Sequence, residues 1–108
     1  KPEMQQQLEK EFFKASKLNN LRLIPAGQAF LFVNKNFSNI NLYTNDLRHP
    51  SKEGTYLAAL MIFTTLSNKS PVGNSYTMGL DPEIARTLQQ VAWNTHKNFE
   101  KKQLDSSL

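Results

Sequence analysis

Only one stretch of this chain has the makings of a β-strand: Leu21-Arg22-Leu23-Ile24, a short β-favouring run stopped by Pro25. One strand cannot make a sheet, because its peptide groups would go unpaired. Either partner strands lie outside this sequence or the run is not a strand. Everything else reads as helix or loop. Pro2 suits a first helical position, and Met4, Leu8, Phe12 and Ala15 share one face of a helix running to about Leu18. Gly27 to Val33 reads as a short apolar helical segment. Asn34 to Asn45 holds five asparagines and is expected to be a loop anchored by Ile40, Leu42 and Tyr43. Gly54 to Leu66 is the most apolar helix and should be largely buried, with Asn68 closing it in a left-handed conformation. The order Asp81-Pro82-Glu83, cap then proline then acid, opens a last helix whose stripe is Ile84, Leu88, Val91, Ala92, Thr95 and Phe99. Gln103 to Leu108 reads as a frayed tail.

A chain of 108 residues is one domain at most. Its net charge of +4 invites a nucleic-acid reading, but Lys and Arg are spread along the chain and mixed with acids. The pattern is that of a solvated, mildly basic surface. With no cysteine there is neither a disulfide framework nor a thiolate metal site, and the compartment stays open. The longest apolar run, Leu57 to Phe63, is far too short to span a bilayer. No signal peptide is visible, although the chain opens in mid-pattern with Lys1-Pro2-Glu3, which leaves room for a leader upstream.

The chemistry concentrates in Asn45-Asp46-Leu47-Arg48-His49-Pro50-Ser51. Asp46 and His49 are three residues apart, so one turn lets the carboxylate accept from one imidazole nitrogen while the other faces outward as a base. Pro50 ends that turn, Ser51 can cap the next helix, and Glu53 falls where the helix dipole favours an acid. The pair is thus expected in a loop just before a rigid helix, with a carboxylate oxygen within hydrogen-bonding distance of Nδ1.

Asp46-Leu47-Arg48-His49-Pro50-Ser51, followed by Gly54-Thr55-Tyr56-Leu57-Ala58-Ala59, resembles the last conserved block of the SGNH hydrolases, the GDSL-type esterases. Ile24-Pro25-Ala26-Gly27-Gln28-Ala29-Phe30 resembles the segment that precedes this block in bacterial members. The resemblance implies an α/β chain, the C-terminal part of a three-layer α/β/α (flavodoxin-like) fold, mostly helical here with Leu21 to Ile24 as its last parallel strand. It implies an ester hydrolase working through a covalent acyl-serine, with His49 as general base and Asp46 as its partner. The serine and the oxyanion-hole residues would lie in a missing N-terminal part of the same domain. The substrate class would be a small ester, such as an acetylated carbohydrate or a lipid, with no metal, no organic cofactor, no nucleic acid and no membrane involved.

Other residues have plainer readings. Ser51 is too close in sequence to His49 to present its hydroxyl to the outward nitrogen easily, and is expected to be a cap. Gly73-Asn74-Ser75 resembles the family's nucleophile block, yet no apolar strand precedes it, so a loop is expected. His96 reads as a solvated surface residue, and Trp93, off the main apolar stripe, either as a packing residue against a missing neighbour or as a half-exposed aromatic. The rival from another class is a small basic helical module that binds a protein or a nucleic acid, with the Asp-x-x-His spacing accidental.

Overall fold

The computed structural model describes residues 24–46 and 49–106, with the side chain of Ser106 left aside. Three helices make up this part: α1 (Ala26–Asn36), α2 (Lys52–Ser67) and α3 (Pro82–Ser106). Each packs on the other two, and the α2–α3 interface is the largest. At 25 residues α3 is about 37 Å long, and it forms the spine against which the shorter helices lie.

The expected α/β class, with one parallel strand of a three-layer α/β/α sheet, is corrected: among the described residues there is no strand and no sheet. Their β pairing is an isolated antiparallel bridge between Tyr43 and Pro50. The physical reason is peptide-group accounting: a helix satisfies its own N–H and C=O groups, whereas a strand needs a partner, and no second strand-like run exists to supply one. Of the run Leu21 to Ile24, residues 21–23 lie outside the described residues, and Ile24 is half-buried without strand structure. The helix expected from Pro2 to Leu18 also lies outside them.

Helix ends follow local chemistry. Ser51 accepts from the Gly54 N–H at 3.0 Å and so caps α2, as expected, with the helix starting at Lys52 and Glu53 in its first turn. Its far end is Asn68, left-handed at φ 55°, ψ 33°, as expected. Asp81 accepts from Glu83 N at 2.8 Å and Ile84 N at 3.4 Å, the cap anticipated from Asp-Pro-Glu. The last helix runs through Ser106, so the frayed tail expected from Gln103 onward is ordered helix over 103–106.

The core is one cluster: Ala29, Phe30 and Val33 from α1, Tyr56, Leu57, Leu60 and Met61 from α2, Ala85, Leu88, Val91 and Ala92 from α3. Two loop residues complete it, Ile40 and Leu42, at 4% and 1% exposure. Burying each of these is worth about 1.5–3 kcal/mol, enough to hold an otherwise polar, asparagine-rich loop against the helices. Tyr43 adds an edge-on contact to Phe30 with ring centroids 6.1 Å apart. Leu88, Val91 and Ala92 of the expected α3 stripe are buried, but toward both ends the buried face lies beside the expected residues. Ala85, Gln89 and His96 are buried, whereas Ile84, Thr95 and Phe99 are only half-buried.

That offset corrects the reading of His96 as a solvated residue. It is 1% exposed and its Nε2 lies 2.7 Å from Asn68 Oδ1, joining α3 to the C-terminal cap of α2. Glu100 stands 3.9 Å away on the next turn. Trp93 is half-buried, the second of its two readings, tilted against the His96 ring at 5.8 Å, with Lys97 over its face at 5.3 Å.

Candidate functional site

The loop before α2 is folded back on itself by its own backbone. Ser51 N donates to Leu42 O at 2.8 Å and Thr44 N to His49 O at 2.9 Å, flanking the Tyr43–Pro50 bridge. In this register the missing N–H of Pro50 costs nothing, because the ladder bonds fall on its neighbours. The Ser51 hydroxyl adds a bond to Asn41 O at 2.6 Å. Thr44 and His49 therefore face each other at the mouth of a closed loop, standing on two antiparallel arms that end at the N-terminus of α2.

Gly54 lets those arms come so close. A Cβ placed there would overlap the Leu42 carbonyl oxygen and lie 3.1 Å from the carbonyl carbon and 3.4 Å from the Pro50 Cβ. Its value is a lack of bulk, since no left-handed backbone is involved. The Gly-Thr-Tyr part of the motif is thus tied to the Asp-x-x-His part through packing.

Within the closed loop the geometry is that expected from the spacing. His49 Nδ1 lies 2.7 Å from Asp46 Oδ2. An ionised carboxylate only accepts, so Nδ1 carries the proton and a neutral ring presents the lone pair of Nε2 as a base. The other carboxylate oxygen, Oδ1, accepts the Thr44 hydroxyl at 2.6 Å and the His49 backbone N–H at 3.2 Å. Both side chains remain accessible, Asp46 at 47% and His49 at 51% exposure. Water and salt screen a polar contact this exposed, so it adds little to stability, and its order comes from the surrounding hydrogen bonds.

The remaining candidates fall apart from the pair. Ser51 donates to Asn41 O and accepts from Gly54 N, so its hydroxyl is committed to structure. The Gly73-Asn74-Ser75 stretch is an exposed turn, as expected, with no strand before it. Asn74 Oδ1 accepts from Tyr76 N at 2.9 Å, and the turn is pinned from beneath by Gln89. Gln89 Oε1 accepts from Gly73 N at 3.0 Å, while its Nε2 donates to Asn74 O at 3.1 Å and to the Tyr56 hydroxyl at 2.9 Å. Tyr56 in turn donates to Tyr76 O at 2.8 Å. Sequence reasoning misses this buried network, although it leaves a visible signal: an amide at a position of α3 between Leu88 and Ala92 that packing makes internal.

Among the described residues no group of three or more His, Asp or Glu side chains is arranged to hold a metal ion, and no helix is long and apolar enough to cross a membrane. A recess of about 260 Å³, lined by Phe37, Ile40, Asp81, Glu83, Ile84 and Thr87, does not include Asp46 or His49. The chemistry available at the pair is proton transfer: a base at Nε2, with a carboxylate behind it that accepts from Nδ1. Compared with known protein families, curated proteins and solved structures, the chain matches none of them.

Proposed function

We propose that this chain supplies the histidine and aspartate of a serine esterase, His49 as general base and Asp46 as the group that orients it. The observation that carries this reading is the 2.7 Å contact between His49 Nδ1 and Asp46 Oδ2, in a loop locked to the start of α2 with the ring accessible. The nucleophilic serine and the oxyanion-hole donors belong to a part of the protein outside these 108 residues. Serine Oγ attacks the ester carbonyl as its proton passes to His49 Nε2. The imidazolium returns that proton to the departing alkoxide, leaving an acyl-serine, and water then releases the acid by the same relay. Asp46 stabilises the transient imidazolium. The substrates in view are small esters, such as acetylated carbohydrates or lipids.

A fluorophosphonate probe tests this, since it labels only a serine activated by a neighbouring base. In the full-length protein, mass spectrometry should find the label on one serine outside residues 1–108, and His49→Ala should abolish it. The 108-residue chain alone should not be labelled, because it lacks both nucleophile and oxyanion hole, the largest catalytic terms. Labelling of Ser75 in the isolated chain would show that the nucleophile is misplaced here.

A second reading, a basic helical module that binds a protein or nucleic acid, draws on the exposed apolar side chains Leu31 and Phe32 of α1 and Phe63 and Leu66 of α2. It predicts no labelling anywhere, and loss of binding on Phe63→Ser with His49→Ala silent.

A further inference from the structure

We propose that Thr44 is the positioning residue of the acid–base pair, its hydroxyl fixing the Asp46 carboxylate so that Oδ2 faces His49 Nδ1. The inference rests on the reading of Asp46 and His49 as an acid–base pair. It extends that reading to a residue outside the Asp-x-x-His spacing.

Thr44 touches both members of the pair. Its backbone N–H donates to His49 O at 2.9 Å, and its hydroxyl donates to Asp46 Oδ1 at 2.6 Å. One residue thus holds the histidine by its main chain and the aspartate by its side chain. The need for such a clamp follows from exposure. A carboxylate about half open to water turns readily about its own axis, and screening by solvent leaves its attraction to the imidazole too weak to fix it. The donors on Oδ1 remove that freedom. The His49 N–H reaches Oδ1 at 3.2 Å, and the Thr44 hydroxyl, closer at 2.6 Å, is in the range of a strong bond to a charged acceptor.

Threonine is suited to the role. Its β-branch restricts χ1, so the hydroxyl direction is set by a backbone that is itself fixed through the Tyr43–Pro50 bridge. Tyr43, packed on Phe30, anchors the same arm to α1. The chain of support therefore runs from the core through Tyr43 to Thr44 and on to Oδ1, leaving Oδ2 for the imidazole.

The test compares Thr44→Val, which keeps the shape and the backbone N–H but lacks the hydroxyl, with Thr44→Ser, which keeps the hydroxyl. Both are made in the full-length protein, labelled with ¹⁵N-histidine and assigned with His49→Gln. Wild type should show a downfield, exchange-protected His49 Nδ1–H proton. Thr44→Val should lose that signal and lower kcat on an acetyl ester about 10- to 100-fold with KM little changed, the scale of a misplaced catalytic group. Thr44→Ser should restore both. A Thr44→Val protein that retains the protected proton and wild-type kcat overturns the proposal, and leaves the esterase reading standing. If the proton signal responds as expected but the wild-type protein turns over no ester, the esterase reading fails while Thr44 keeps its part in positioning the pair. Should Thr44→Val not fold, a Thr44→Ser protein without the protected proton overturns the proposal by itself.

Discussion

Gly54→Ala sets two effects of opposite sign against each other. Gly54 is the third residue of α2, and on helix propensity alone alanine there should stabilise the protein by about 1 kcal/mol. The added methyl, however, would overlap the Leu42 carbonyl oxygen, far inside 3.0 Å. Restoring ordinary contact requires one side to retreat by about 1 Å. Leu42 is poorly placed to move, because its side chain is 1% exposed in the core and that same oxygen accepts from Ser51 N at 2.8 Å. Overpacking of this kind costs about 1–3 kcal/mol. Losing the Ser51–Leu42 bond adds about 1 kcal/mol. The clash wins, for a net loss of roughly 1–3 kcal/mol, equivalent to a fall in Tm of about 5–20 °C for a domain of this size. Thermal and urea unfolding of Gly54→Ala beside Gly27→Ala isolate the steric part. Gly27 lies in α1 with nothing within 4 Å of where an added methyl would sit, so its alanine variant should be unchanged or slightly more stable. A Gly54→Ala protein as stable as wild type would refute the account of how the loop is held against α2.

Two further substitutions probe the buried polar contacts. Gln89→Leu leaves Gly73 N–H and Asn74 O without their partner, so it should cost about 2–4 kcal/mol and speed hydrogen exchange at the Gly73 amide, read by NMR. Asn68→Ala should melt below Asn68→Gly, since both lose the 2.7 Å contact to His96 but only glycine accepts the left-handed cap without penalty; equal melting would contradict the capping role.

The three helices are legible in the sequence, and so are the ends whose signals are local, whereas α1 runs on to Asn36 and α3 to Ser106, past where the sequence stops them. Ser51, Asn68 and Asp81 do their work within a turn of where they stand, and the Asp46–His49 contact likewise needs only three residues of chain. What escapes such a reading depends on neighbours distant in sequence. Apolar identity alone finds Leu88, Val91 and Ala92 of the α3 stripe but also favours Ile84 and Phe99, whereas packing against α2 internalises Gln89 and His96. Both carry partners brought by tertiary contact, Tyr56 from 33 residues away and Asn68 from 28. Gly54 reads as part of a motif, but its close approach to Leu42 becomes visible only when the loop folds back. The α/β expectation rests on the family resemblance and one β-favouring run, and no described residue pairs into a sheet.

The most direct measurement of the central claim is kcat on one acetyl ester for His49→Ala and Ser51→Ala in the full-length protein, with folding checked by melting. Removing His49 takes away the proton acceptor, so kcat should fall by roughly 10⁴- to 10⁶-fold with substrate binding little changed. Ser51→Ala removes a helix cap and the bond to Asn41 O, so it should lower stability by about 0.5–2 kcal/mol and leave kcat within a small factor. A folded Ser51→Ala protein without turnover, beside a His49→Ala protein that retains it, would contradict the assignment of the base.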